Sequence, residues 1–229
     1  MENHEREKNY KVDEGMIIAV EQDILSRNNK IANDIRSYFD SKHIFSLNLM
    51  SSPGSGKTSL LEETVRRIKD RVPVYVIEGD QQTSNDADRI AALNVDAYQV
   101  NTGMGCHLEA DMIQKALHNL NPDDNAVVFI ENVGNLVCPA MYDLGETKKV
   151  VIISITEGDD KPLKYPYMFQ EADVCVINKV DLAPYLDSNI NMLRENALKV
   201  NHRLEFFEVS ATKGIGMEKW CEWLLNKKE

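Results

Sequence analysis

Between Ser51 and Thr58 the chain reads Ser-Ser-Pro-Gly-Ser-Gly-Lys-Thr, small and glycine residues ending on a lysine and a hydroxyl. Such a run can wrap a chain of phosphates. Gly54 and Gly56 free backbone amides to point inward, and Pro53, Ser55 and Ser59 belong to the same wrap. Lys57 brings a point charge to the outer phosphates, and the Thr58 hydroxyl can reach Mg²⁺. Ser51 stands where such a loop ordinarily begins with glycine, which narrows the backbone there without removing a contacting group. A plain strand–turn–helix connection is the alternative; the loop's place after a buried strand and before a helix argues against it.

Asn178-Lys179-Val180-Asp181 carries the choice of base. The Asp181 carboxylate can accept from N1–H and from the N2 amine of guanine; adenine offers a lone pair at N1 and no amine, and is rejected. Lys179 can lay its stem over the base, and Asn178 can brace the loops. Ser210 and Ala211, after the last strand, are expected to offer amides to the guanine carbonyl. GTP and GDP are therefore the expected ligands.

Hydrolysis needs acids at strand ends, and Asp80 and Glu131 stand there. With Thr58 they are the expected Mg²⁺ ligands, and with Lys57 the expected catalytic set. Asp86 rivals Asp80, with helix capping as its other role. No residue is evident to place the attacking water, so slow hydrolysis that awaits a partner or second subunit is the expectation.

Cys106, His107 and Cys138 form a second group, of thiolate and imidazole type, suited to Ni²⁺, Zn²⁺ or Cu⁺. Three ligands leave a tetrahedral site open or ask for one from a second chain. Buried structural cysteines are the competing reading. What favours ligands is that Cys138 follows Glu131 by a short segment through Gly134, where a γ-phosphate could order a switch loop. Cys175 and Cys221 fall within a strand and a helix and read as core; the four cysteines are too scattered for a disulfide framework. His4 would suit an amino-terminal metal site only as third residue, and Met1 before Glu2 is expected to be retained, leaving it fourth; His43, His118 and His202 have no ligand-like company.

These residues must be held by an α/β scaffold. Apolar runs predict strands at 44–50, 74–77, 97–100, 126–130, 150–155, 174–177 and 205–209. Helical spacing predicts helices over 16–39 (broken near Arg27-Asn28-Asn29), 57–69, 86–93, 108–120, 188–200 and 217–226. Strands separated by helices imply right-handed crossovers, hence a P-loop nucleotide-binding fold with a doubly wound, mostly parallel sheet flanked by helices. Residues 1–14 read as a flexible, charged segment and 15–229 as one GTPase domain with an N-terminal helix.

With 229 residues and 43% hydrophobic content the chain can bury one sizeable core. A net charge of −11 with no basic patch argues against nucleic acid. The absence of a long apolar run or a basic-then-apolar leader argues against the membrane, and a cytoplasmic location is expected.

In order along the chain, the Ser51–Thr58 loop, Glu78-Gly79-Asp80, Gly105-Cys106-His107-Leu108, Glu131-Asn132-Val133-Gly134-Asn135-Leu136-Val137-Cys138-Pro139 and Asn178-Lys179-Val180-Asp181-Leu182 resemble the HypB family, the nickel-incorporation GTPases of hydrogenase maturation. The resemblance runs from about residue 15 to the end. It implies a GTP-hydrolysing metallochaperone that assists nickel insertion into the [NiFe]-hydrogenase large subunit beside a HypA-type metallochaperone. It also implies a nickel or zinc site at Cys106, His107 and Cys138, a homodimer linked to GTP, and a dimer contact at Leu182 and Leu186, for which core packing is the alternative. The amino-terminal cysteine or histidine-rich nickel motifs of some relatives have no counterpart, so a storage role is not expected. Urease-maturation GTPases carry Cys-Pro-His where this chain has Cys138-Pro139-Ala140, and the ATP-driven partitioning relatives carry a lysine where it has Ser52. A GTP-regulated switch with purely structural cysteines remains the rival of a different class.

Overall fold

The structure is a computed structural model that describes residues 14–80, 89–90, 92–103 and 105–227; the side chains of residues 14–21 and of Asp80 lie outside the description. Seven strands, β1 (Phe45–Ser51), β2 (Val74–Asp80), β3 (Asp96–Asn101), β4 (Val127–Glu131), β5 (Lys148–Ser154), β6 (Val174–Asn178) and β7 (Glu205–Glu208), make one sheet. All pairs are parallel, in the spatial order β3-β2-β4-β1-β5-β6-β7. The order reverses at β1, and ligands of such sheets bind outside the carboxyl ends of the strands at that reversal. The phosphate loop leaves β1 there.

Helices α1 (Glu14–Ser41), α2 (Lys57–Ile68), α3 (Ala110–Leu120), α4 (Cys138–Met141), α5 (Lys161–Lys164), α6 (Pro166–Glu171), α7 (Ile190–Val200) and α8 (Met217–Lys227) flank the sheet. Alternate strand residues sort the core onto two faces. Leu47, Leu49, Val76 and Phe129 meet α2 and α8, where Trp220 is edge-on to Phe207 and donates to Thr64 Oγ1 at 2.9 Å. On the opposite face Ile77, Val128 and Ile130 pack under α1 and α3, and Val151, Ile153 and Ile177 under α6 and α7. Each fully buried Leu, Ile or Phe contributes about 1.5–3 kcal/mol relative to exposure. Between the two apolar clusters of that second face runs a polar seam: Ser46 and Asn48 of β1 are wholly buried, Ser46 joined to Thr147 and Asn48 to Glu146.

The expected doubly wound sheet is present, with differences of physical origin. α1 is continuous across Arg27-Asn28-Asn29. Asn28 turns inward, donating to Asp143 O at 2.7 Å and accepting from the N–H of Ala110 at 2.8 Å, so it joins α1 to the first residue of α3. α3 begins at Ala110 rather than at 108, because Glu109 is extended, with φ −117 and ψ 159. β2 continues to Asp80, and β4 and β6 end on Glu131 and Asn178, one or more residues past their apolar runs, because the hydrogen-bond ladder does not stop where hydrophobicity does. Half of the helix expected over 86–93 lies outside the described residues, with Arg89 and Ile90 helical in the described part; residues 1–13 and Asp86 lie outside altogether. Among the described residues no helix is long and apolar enough to cross a membrane.

Candidate functional site

The loop from Ser51 to Ser59 lines a cavity of about 490 Å³ together with Glu78, Gly79, Arg89, Glu131, Gly134 and Lys179. Gly56 has φ 90, and a methyl there would lie 2.5 Å from Asn178 Nδ2, so both its conformation and its neighbour require glycine. Glu131 is 1% exposed at the end of β4. Its Oε1 accepts from Lys57 Nζ at 2.8 Å and from Thr58 Oγ1 at 2.6 Å, while Oε2 is buried with no hydrogen-bond partner among the described residues. A buried carboxylate oxygen with spare capacity, beside a threonine hydroxyl, is a donor set suited to a hard divalent cation. Glu78 is paired with Glu131 in the β2–β4 register and is 3% exposed, so a second acid faces the same mouth. The sequence reading chose Asp80 from Glu78-Gly79-Asp80 and passed over Glu78; the register of β2 with β4 is what brings Glu78 level with Glu131. Arg89 was also missed. It donates to both Glu62 oxygens at 2.9 and 2.7 Å and to Ser59 Oγ at 3.3 Å, from a polar stretch with no pattern to mark it.

At the base-reading end Asn178 is 2% exposed and donates to Ser55 O at 3.0 Å. Its Oδ1 accepts from the Lys179 amide at 2.8 Å and the Ala211 amide at 3.3 Å. The bracing role read from the sequence is thus a set of bonds between three loops. Lys179 is left-handed at φ 61 and donates from Nζ to Gly54 O at 2.7 Å, which lays its stem along the phosphate loop. Asp181 is half-buried at the start of a 3₁₀ turn, Val180–Tyr185. Of the two amides expected at the guanine carbonyl, that of Ser210 donates to Ile215 O at 2.9 Å and that of Ala211 to Asn178 Oδ1 at 3.3 Å, which places Ala211 beside the base-reading motif. Leu182 and Leu186 are half-buried and belong to none of the buried clusters.

Cys106, His107 and Cys138 converge, although they are carried on different arms. One ligand atom from each lies within 4.8 Å of the others, and all three residues are half-buried. Cys106 Sγ is 3.5 Å from His107 Nδ1. His107 stacks on Tyr142 with ring centroids 3.9 Å apart and planes at 23°. Its Nε2 is buried without a hydrogen-bond partner and 3.6 Å from a Glu109 oxygen, beyond bonding distance. Burial outweighs the pull of Glu109 and lowers the imidazole pKa below its ordinary 6.5, which keeps it neutral and able to bind a metal. Burial, with Cys106 as hydrogen-bonding neighbour, raises the Cys138 thiol above its ordinary 9.0. Cys138 opens α4, a four-residue helix with Pro139 in its first turn, too short for periodicity to reveal. Cys175 and Cys221 are 0% and 5% exposed within the core, as expected.

Asp80 closes β2 on the strand paired with β4, and its side chain is outside the description. The remaining candidates form two adjoining sites joined by the segment from Glu131 to Cys138.

Residues 46–208 match the family described as CobW/HypB/UreG, nucleotide-binding domain. The hydrogenase maturation factor HypB of Rhizobium leguminosarum bv. viciae is 56% identical over 208 residues, which cover 91% of this chain and 70% of that protein. Among solved structures, HypB from Archaeoglobus fulgidus superposes with a TM-score of 0.83 at 36% identity, over 90% of this chain and all of that one. HypB from Helicobacter pylori, solved in complex with nickel, gives 0.82 at 40% identity over 88% and 95% of the two chains. With the phosphate loop, the guanine-type motif and the thiol–imidazole cluster all inside the matched span, the chain belongs to the CobW/HypB/UreG family and, within it, to the HypB hydrogenase maturation factors.

Proposed function

We propose that the chain hydrolyses GTP and uses the cycle to control a nickel ion handled at Cys106, His107 and Cys138, for insertion into [NiFe]-hydrogenase. The observation that carries this reading is the segment from Glu131 to Cys138. It begins at the carboxylate that holds Lys57 and Thr58 and ends at a thiol of the metal cluster. Movement of that segment with the γ-phosphate would alter the spacing of the metal ligands.

Pro53 to Ser59 cradle the phosphates, and Asn178, Lys179 and Asp181 select guanine. Thr58 and Glu131, with Asp80 and Glu78 nearby, hold Mg²⁺, which offsets phosphate charge when bound. Lys57 and Glu131 exchange partners as nucleotide enters, Lys57 turning from the carboxylate to the outer phosphates. Hydrolysis is slow in the isolated chain, a reading supported by the mouth, where among the described residues no side chain is built to orient water. The cargo is Ni²⁺, with Zn²⁺ accepted by the same soft ligands. The chain acts from the cytoplasm as one domain, residues 15–229. It forms a homodimer when GTP is bound, and works with a HypA-type metallochaperone and the hydrogenase large subunit.

The test is nickel titration of wild type, Cys106→Ala and Cys138→Ala with GDP and with a non-hydrolysable GTP analogue, oligomeric state being followed alongside. Both variants should lose at least tenfold in nickel affinity and keep GDP binding. Unchanged nickel affinity and stoichiometry in the variants would remove the metal role and leave a nucleotide switch with structural cysteines.

A further inference from the structure

We infer that Asn132 is the positioning residue that holds the Cys106–His107 arm and the segment leaving Glu131 in one register, so that the two move together. The inference rests on the reading above, that nucleotide state and metal geometry are linked, and assigns the link to one side chain.

Asn132 is wholly buried, and its backbone N–H donates to Leu49 O at 3.1 Å. An asparagine just past a strand usually binds amides within a few residues of itself. Here Oδ1 accepts from the N–H of Val133 at 3.0 Å and also from the N–H of Leu108 at 3.1 Å, 24 positions earlier. Leu108 directly follows His107. Val133 precedes Gly134, where a methyl would come within 3.4 Å of Pro53 in the phosphate loop. One oxygen therefore serves both the metal arm and the segment that touches the phosphate loop.

The donor end of the same side chain is equally committed. Asn132 Nδ2 donates to Asn48 Oδ1 at 3.2 Å, and Asn48 Nδ2 donates to Glu146 Oε1 at 3.1 Å. Glu146 Oε2 accepts from the N–H of Leu144 at 2.7 Å, two residues beyond the Tyr142 that stacks on His107. The chain of bonds thus runs from the Val133 and Leu108 amides along the polar seam on one face of the sheet to Leu144, two residues past the ring that stacks on His107. Leu108 is also pinned by packing: it is wholly buried, and its side chain lies directly over Gly79 of β2. If the segment after Glu131 shifts with nucleotide state, Asn132 is drawn with it. The buried Leu108 amide then loses its acceptor unless it follows, and a buried amide without a partner is strongly disfavoured. The Cys106–His107 arm follows for that reason.

The experiment measures Ni²⁺ affinity and the thiolate-to-nickel absorption band of the full chain, with GDP and with a non-hydrolysable GTP analogue, in wild type, Asn132→Ala and Asn132→Asp. Asn132 does not line the nucleotide cavity, so GDP affinity without nickel is the control for folding and binding. Wild type should show a ratio of nickel affinities between the two states of about fivefold or more, the usual scale of coupling between sites. Asn132→Ala should bring that ratio to within about twofold of unity and make the absorption bands of the two states coincide. Asn132→Asp keeps the shared acceptor but gives up the donor to Asn48 Oδ1, so it should be less stable than wild type and still retain more of the ratio than Asn132→Ala. Hydrogen exchange on wild type needs no variant: protection of the Leu108 and Val133 amides should change together between the nucleotide states. A wild-type ratio preserved in Asn132→Ala, or a change at Val133 without one at Leu108, overturns this assignment alone. Equal wild-type affinities in the two states overturn the functional reading and this inference with it.

Discussion

Gly79→Ala should transmit a single methyl from the nucleotide strand to the metal arm. A Cβ on Gly79 would lie 2.7, 2.8 and 2.9 Å from Cγ, Cδ2 and Cδ1 of Leu108. Carbon atoms in contact prefer about 3.5–4.0 Å, so Leu108 must retreat by about an ångström. Overpacking of that size costs about 1–3 kcal/mol, and replacing glycine inside a strand returns about 0.5–1 kcal/mol of chain entropy. The net loss of stability is about 1–2 kcal/mol. Leu108 is wholly buried and its amide is tied to Asn132, so its retreat displaces the neighbouring His107 and Cys106. Nickel affinity should fall about tenfold, equivalent to about 1.4 kcal/mol. Leu108→Ala alone should cost about 2–5 kcal/mol through the cavity it leaves. In the double variant the new methyl enters that cavity, and the combined loss should fall short of the sum by about 1–3 kcal/mol. Urea unfolding of the four proteins with nickel titration of each measures both quantities, and GDP affinity separates a general effect at the pocket from one on the arm. Additivity within about 0.5 kcal/mol, together with an unchanged nickel affinity in Gly79→Ala, would refute the contact as a means of transmission.

Three further outcomes follow from the geometry. Asp181→Asn should weaken GDP binding by roughly 10⁴-fold and favour xanthosine diphosphate, whose C2 carbonyl accepts from the new amide; competition between the two nucleotides checks it. Glu131→Gln removes the charge that faces Lys57 and Thr58, so Mg²⁺ stimulation of single-turnover GTP hydrolysis should fall by about 10²-fold, with equal stimulation in variant and wild type counting against a role for Glu131. The Asp143 carboxyl is pushed up by burial but pulled further down by Arg36, whose Nη2 lies 2.7 and 2.8 Å from its oxygens, for a net lowering below its ordinary 3.8. A carboxylate held low contributes stability above its unfolded value and loses it as pH falls through the folded one. Arg36→Gln should therefore be less stable than wild type by about 0.5–1 kcal/mol at pH 6, given that both side chains are about a third exposed, and the gap should close as acid unfolding scans pass below 3.8.

The nucleotide site was legible because each of its parts is contiguous in sequence and follows a strand buried on both faces. Ser51–Thr58 and Asn178–Asp181 needed only the strands β1 and β6 to be found. Glu78 and Glu131 each stand one residue beyond an apolar run, but only the pairing of β2 with β4 shows that they are level, and the sequence reading chose Asp80 from Glu78-Gly79-Asp80 instead. The break expected in α1 failed for a related reason: three polar residues in a helical stretch look like a loop, but Asn28 is polar because it binds inward. Cys106, His107 and Cys138 were legible by type alone, since their approach depends on the pairing of β2 with β4 and on the turn at α4. Asn132, Tyr142 and Arg89 carried no signal, because what each does is defined by a partner 24 to 35 positions away in sequence.

The polar seam beside β1 has a consequence for how faithfully the thiol–imidazole cluster keeps its shape. An apolar contact can slide by fractions of an ångström at little cost, but a bonded amide must either keep its acceptor or exchange it for another. With Asn48, Asn132 and Glu146 all engaged, a slipped arrangement gives up at least one bond and costs about 2 kcal/mol, holding it to roughly one molecule in thirty at room temperature. Random jostling is thereby filtered out, and the spacing of sulfur and nitrogen at the cluster stays constant between deliberate events. Under the proposed function, little of the nickel held there would be lost to noise, and its release would be stepwise rather than graded.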